Sequence, residues 1–316
     1  MNPRAVPSIL HAIGHTPIVR LNHVVPRGSA DVWVKLEYYN PTGSYKDRMA
    51  LAMIEEAEKR GDLKPGMTVV EYTGGSTGSS LSMVCAVKGY PFRVISSDAF
   101  AEEKLQTMRV FGADLELISS QGGQVTPDLI PSMMRRAREI ADSGTSYFTD
   151  QFHNADSEKG YENLGRELVE QIEGPFHAFC AGAGTAAMLM GVAHILRALH
   201  PSPRIIALEP SSSPEISLGY SGTHHVEGVG AGFYPPLLER AFYDDARGID
   251  EEQARHMAWQ LAREEGIFTG TSSGMNVVGA IDLARELEPG HTVVTVAVDS
   301  GLKYLSGDLY GRGIPT

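Results

Sequence analysis

Lys46 is the first residue to weigh. It lies in NPTGSYKDR, behind a turn built by Pro41, Thr42 and Gly43 and just before a stretch with helical spacing. A lysine at a helix start feels the positive end of the peptide dipoles, which favours its neutral amine. A neutral amine is what Schiff-base chemistry needs. Taken alone, the position also fits an ordinary solvated lysine, since most lysines are exposed. The second candidate is the run Thr73–Gly74–Gly75–Ser76–Thr77–Gly78 between a strand end and a helix start. Glycines let backbone come close, and a helix N-terminus offers unpaired N–H groups, so such a loop can hold a carboxylate or phosphate. A plain βα turn with a Ser or Thr cap is the simpler account, but six consecutive Gly/Ser/Thr residues exceed what a cap requires.

A third loop, Gly182–Ala183–Gly184–Thr185–Ala186–Ala187, also runs from strand into helix. It matches G-x-G-x-x-A, the dinucleotide fingerprint, and Glu209 ends the next strand. By itself the pattern says only that phosphate oxygens can sit on a helix N-terminus. Asp299–Ser300–Gly301 follows the strand whose sequence looks most buried. The Ser300 hydroxyl there either faces a heterocycle nitrogen or caps the last helix.

The elements that must carry these loops form an alternating α/β series. Asp47 to Arg60 has helical spacing and stops at Gly61, and TVVEY (68–72) has the character of a strand. Helix 79–88, strand FRVIS, helix EEKLQTMRVFG, strand LELIS and helix 128–142 follow. Then come strand HAFCAG, helix TAAMLMGVAHILRAL, strand RIIALEP, helices 251–265 and 275–288, and the β-branched strand TVVTVAV at 292–298. This alternation predicts parallel sheets, whose ligands gather at the carboxyl ends of strands. The loops after 72, 181 and 298 are therefore where function is expected.

Composition narrows the classes. A chain of 316 residues exceeds the roughly 250-residue size at which single cores split, so two packed domains are expected. The formal net charge is −12 with no basic block to offset it, which disfavours nucleic acid and anionic membranes as partners. No apolar run reaches the length of a membrane span, and MNPRAVPSILHAIGH lacks the apolar core of a secretory signal. Cys85 and Cys180, each in an apolar stretch, fit buried structural thiols in a reducing, cytoplasmic setting. Adjacent His224 and His225 lack the spacing of a metal pair, and no metal site is expected.

IGHTPIVRL, NPTGSYKDR, TGGSTG, GAGTAAM, GVGAGF, EEGIFTGTSSG and DSGLKYLS occur in one order along the chain. Together they resemble the cysteine synthase/cystathionine β-synthase family of fold-type II pyridoxal phosphate enzymes, over about residues 10 to 310. The resemblance implies two three-layer αβα domains with largely parallel sheets and an active site in the cleft between them. The smaller domain would be 35–151, and the larger 10–34 plus 152–316. It implies pyridoxal 5'-phosphate on Lys46, and a substrate-carboxylate loop at Thr73, Gly74, Gly75, Ser76 and Thr77, helped by Gln151. Ser76 would also touch the cofactor. The phosphate cradle would be Gly182, Gly184, Thr185, Ala186, Ala187 and Met188, with Ser300 opposite the pyridine nitrogen and Gly228 beside the ring. The implied activity is β-replacement on an activated L-serine such as O-acetylserine, by sulfide or another small nucleophile, through an aminoacrylate. A homodimer is implied as well.

The sequence departs from the family pattern in three places. Ser76 stands where an Asn is usual, Gly74 where cysteine synthases have Ser, and Ala186–Ala187–Met188 where Gly-Gly-Thr is usual. Ala keeps its N–H donors if its φ stays negative, whereas Met188 supplies no hydroxyl. Other readings stay open at this point: β-elimination of the serine or threonine ammonia-lyase type, a cofactor-binding scaffold without turnover, and an NAD-dependent oxidoreductase resting on GAGTAA and Glu209.

Overall fold

A computed structural model describes residues 5–120, 128–142, 144–199 and 201–311. The expected domains also take in 121–127, 143, 200 and 312–316, which lie outside the described residues. The chain divides into two units. One comprises Met1–Ile13 with Lys46–Gly160, the other Gly14–Tyr45 with Tyr161–Thr316.

The larger unit is built on a six-stranded sheet. Its strands are β1 (Ile18–Arg20), β2 (Asp31–Leu36), β7 (Ala178–Gly182), β8 (Arg204–Pro210), β9 (Asp245–Ile249) and β10 (Thr292–Ala297), in the order β1-β2-β10-β7-β8-β9. Among the described strands of this sheet, only the β1–β2 pairing is antiparallel. The smaller unit has a four-stranded, all-parallel sheet of β3 (Thr68–Tyr72), β4 (Phe92–Ser97), β5 (Asp114–Ile118) and β6 (Ser146–Phe148), in the order β5-β4-β3-β6.

Both orders contain a reversal. In the smaller sheet the chain steps outward from β3 to β4 to β5, then returns to β6 on the other side of β3. In the larger it steps from β7 to β8 to β9, then returns to β10 beside β7. Neighbouring loops diverge at such points and leave a crevice at the strands' carboxyl ends. TGGSTG follows β3 and Gln151 follows β6. GAGTAA follows β7 and Asp299–Ser300 follows β10. Every expected ligand loop thus lies at a reversal.

The helices are α1 (Lys46–Arg60), α2 (Ser76–Lys88), α3 (Glu102–Val110), α4 (Leu129–Ala141), α5 (Asp156–Gln171), α6 (Ala187–Leu196), the single turn α7 (Glu215–Leu218), α8 (Glu251–Gln260) and α9 (Thr271–Glu286). In the smaller unit Val70, Tyr72 and Ile95 pack against Leu129, Met133 and Ala137 of α4. Alternation along β3 turns Val69 and Glu71 to the opposite face. In the larger unit one core joins Val32, Val34, Cys180, Ile206, Leu208 and Val293 to the apolar side of α9. The expected helix 251–265 is α8 followed by a π turn at Leu261–Glu265, closed by Gly266 in the left-handed conformation. No described helix is long and apolar enough to cross a membrane.

Candidate active site

The expected site residues fall into two groups, one in each unit. In the smaller unit Lys46 is the first residue of α1 and is buried. Its Nζ points to the Met49 sulfur at 3.8 Å. The amine is pulled down to about 8, chiefly by burial, with the Glu71 charge opposing the shift. Desolvation, more than the helix start that the sequence suggested, favours the neutral form.

Glu71 had gone unnoticed in the sequence. It is fully buried on β3, with Oε1 accepting from Tyr72 N at 2.9 Å. Oε2 accepts from Thr149 Oγ1 at 2.7 Å and from Gln151 N at 3.1 Å. Burial raises its carboxyl to about 8, and these hydrogen bonds pull the other way. A lone carboxylate inside an apolar strand was the available signal. By these bonds Glu71 ties β3 to a residue that the sequence assigned to substrate binding.

That residue is Gln151. Thr77 Oγ1 donates to Gln151 Oε1 at 2.8 Å, and Gln151 Nε2 donates to Tyr72 O at 3.3 Å. The structure therefore brings Thr77 and Gln151 together across the reversal. Thr73 Oγ1 accepts from Gly75 N at 3.1 Å and shapes the turn. α2 begins at Ser76, with Gly75 as an N-cap that has no side-chain bond. Gly78 N donates to Gly75 O at 3.1 Å in this first turn.

In the larger unit GAGTAA runs from β7 into α6. A Cβ on Gly184 would overlap the Gly228 carbonyl oxygen, so the two backbones touch and only glycine fits. Gly228 is thereby placed against the GAGTAA loop. Ala186 is the N-cap of α6 at φ 67°, with no side-chain cap bond. Its φ is positive, so the condition attached to the Ala-for-Gly exchange fails at this residue and the backbone is strained. Thr185 Oγ1 accepts from Ala187 N at 3.4 Å. Met188 is buried in the first turn of the helix.

Asn276, on α9, is a second residue that the sequence did not reveal. Its Oδ1 accepts from Gly182 N at 2.7 Å and its Nδ2 donates to Val296 O at 2.8 Å, joining the ends of β7 and β10. Ser273 Oγ accepts from Val298 N at 2.9 Å and from Thr269 Oγ1 at 2.6 Å. Ser300 Oγ accepts from Leu302 N at 3.3 Å and caps a short 3-10 turn. Its hydroxyl keeps a proton to donate. His224 and His225 part company: His224 Nε2 donates to Gly230 O at 2.9 Å, and His225 lies 3.1 Å from Glu251. Burial pushes the Cys85 and Cys180 thiols up to about 12.

A model of the family described as "Pyridoxal-phosphate dependent enzyme" matches residues 9–299. The chain belongs to that pyridoxal-phosphate dependent enzyme family. Within it, a cysteine synthase of Staphylococcus aureus (strain Mu50 / ATCC 700699) is 41% identical over 312 residues, covering 98% of this chain and 99% of its own. A solved cysteine synthase from Entamoeba histolytica has a TM-score of 0.93 at 31% identity, over 100% of this chain and 94% of that one. O-ureido-L-serine synthase has a TM-score of 0.91 at 34% identity, over 99% and 98%. The architecture is the fold-type II arrangement of these enzymes.

The residues present fit pyridoxal 5'-phosphate. A buried lysine with a lowered amine suits its aldehyde. The start of α6, whose N-cap Ala186 makes no side-chain cap bond and which follows a glycine that admits no side chain, suits its phosphate. The NAD reading leaves Lys46 and TGGSTG without a role and falls away.

Proposed function

We propose that this pyridoxal-phosphate dependent enzyme catalyses β-replacement on an activated L-serine, cysteine synthase-like, joining a small nucleophile to the β-carbon. The buried Lys46, with its amine held near neutrality at the head of α1, carries this reading. Relatives named cysteine synthase, matched along nearly the whole chain, support the reaction class.

Bound pyridoxal phosphate supplies an electron sink for charge that develops at the substrate Cα. The chain's residues do the rest. Lys46 would hold the cofactor, and its Nζ would accept the proton from Cα. Thr185, Ala186 and Ala187, at the start of α6, would hold the phosphate through their backbone. The Thr73–Thr77 backbone receives the substrate α-carboxylate, and Gln151 braces that loop through Thr77. Ser300 would donate to the pyridine nitrogen. Ser272 is another hydroxyl, buried in the first turn of α9, just after Thr269, which bridges to Ser300; comparing Ser300→Ala with Ser272→Ala assigns the role. The substrate is a small amino acid, and the assembly is a homodimer, which sedimentation tests.

The test is a visible spectrum of the purified protein before and after O-acetyl-L-serine, repeated with Lys46→Ala. A yellow band that responds to O-acetyl-L-serine and is missing from Lys46→Ala is expected. A parent protein that stays colourless after incubation with pyridoxal phosphate would sink the proposal. Release of keto acid without added nucleophile would move it to β-elimination.

A further inference from the structure

The turn after β4 touches the carboxylate loop through one side chain. A Cβ built on Gly74 would overlap Cγ and both Cδ atoms of Phe100. The inner edge of the ring therefore lies against the Gly74 backbone and fills the space that any side chain there would need. Phe100 is half-buried and packs against the cluster of Tyr72, Ile95 and α4. Its own turn is fixed: Phe100 N donates to Ser97 O at 3.2 Å, Ala99 N donates to Ser97 Oγ at 3.2 Å, and Ser120 N donates to Asp98 Oδ1 at 2.7 Å. The ring is thus held by the sheet's core and its turn.

The Thr77 hydroxyl is committed to Gln151, while that of Thr73 accepts from Gly75 N and keeps its own proton. The loop's backbone N–H groups are the further donors for a carboxylate, and their aim depends on where the Gly74–Gly75 peptide sits. Hydrogen bonds to an anion weaken steeply with misdirection. We propose that Phe100 is a positioning residue: by pressing on Gly74 it aims the loop's N–H groups at the α-carboxylate of the amino-acid substrate. This rests on reading Thr73–Thr77 as the carboxylate loop.

The test uses holoenzyme and O-acetyl-L-serine, with affinity read as KM in turnover with sulfide and as Kd from the change in visible absorbance. Phe100→Ala is expected to raise both about tenfold while kcat stays within about threefold, since misaimed ground-state contacts weaken binding first. Phe100→Leu should recover most of the loss. Gly74→Ala alone should also weaken affinity, and adding Phe100→Ala should remove the extra penalty of the new Cβ. Phe100→Ala without effect on KM and Kd, or a Gly74→Ala penalty of equal size with and without the ring, overturns the proposal. Thr77→Val separates the two levels. Weakened affinity in Thr77→Val but not in Phe100→Ala refutes the role of Phe100 and leaves the loop reading standing. No change in either removes the loop reading and the proposal with it. A loss of thermal stability in Phe100→Ala without any change in affinity assigns the ring to the core alone.

Discussion

Replacing Lys46 with Met in the cofactor-free protein should stabilise it, and the gain should depend on pH. The amine's ordinary value is about 10.4, and in the fold it is about 8, mainly through burial. A depressed folded value means that the unfolded chain binds the proton more tightly. Above about pH 10.4 both states are neutral and the lysine costs nothing. As pH falls toward 8 the unfolded chain is protonated first, and stability is lost. Below 8 the loss is complete. Each tenfold difference in proton affinity between the two states costs roughly 1.4 kcal/mol, which makes about 3 kcal/mol in all. Met is similar in length and apolar, so Lys46→Met should exceed the parent by about 3 kcal/mol at pH 7 and by only about 1 kcal/mol at pH 10. Urea unfolding of both apo proteins at the two values measures this. The same depression leaves roughly one amine in ten neutral at pH 7, against roughly one in 2500 for a solvated lysine. A ¹³C-labelled Lys46 side chain should titrate near 8. A stability difference that does not change between about pH 7 and pH 10, or titration near 10.4, would refute the argument that burial prepares this amine.

Three further outcomes follow from the geometry. Ala186→Gly relieves a positive φ, and should raise stability by about 1 kcal/mol, or about 2–4 °C in thermal midpoint, without loss of cofactor. Asn276→Ala leaves Gly182 N and Val296 O without the partner they share. Each orphaned buried group costs about 1–3 kcal/mol, so a drop of about 2 kcal/mol or more is expected in thermal or urea unfolding. Glu71 has a raised folded value, so its contribution is fully present below about pH 4.3 and is lost as pH rises through 8. The urea stability of the parent relative to Glu71→Gln should therefore fall by several kcal/mol between about pH 5 and pH 8.

Much of the framework was legible because buried parallel strands leave dense apolar runs between glycine loops. TVVEY and RIIALEP coincide with β3 and β8 to the residue. β6 has only three residues, and β9 is DARGI at a sheet edge. Neither carries enough apolar pattern to announce a strand. α2 starts at Ser76 and α9 at Thr271, earlier than spacing predicts, because runs of Ser, Thr and Gly look like loop until tertiary contacts bury them. At the site, Lys46 and the two glycine loops stood out in the sequence. The residues that tune them did not. The Phe100–Gly74 contact spans 26 positions and Asn276–Gly182 spans 94, and no local spacing encodes such pairs.

The departures from the family pattern acquire different meanings once their neighbours are known. At Gly74 the missing side chain is matched by a ring that occupies its space, so the change is compensated locally and points to how the loop is aimed. At Ala186 nothing comparable occurs: the backbone keeps a glycine-like conformation and the methyl group strains it. A compensated change is one that a single substitution back should harm, whereas an uncompensated one should improve on reversal. Putting a Cβ on Gly74 and taking one from Ala186 therefore set the same logic against opposite expected signs. If both changes behaved alike, the neighbours would not be what gives these positions their meaning.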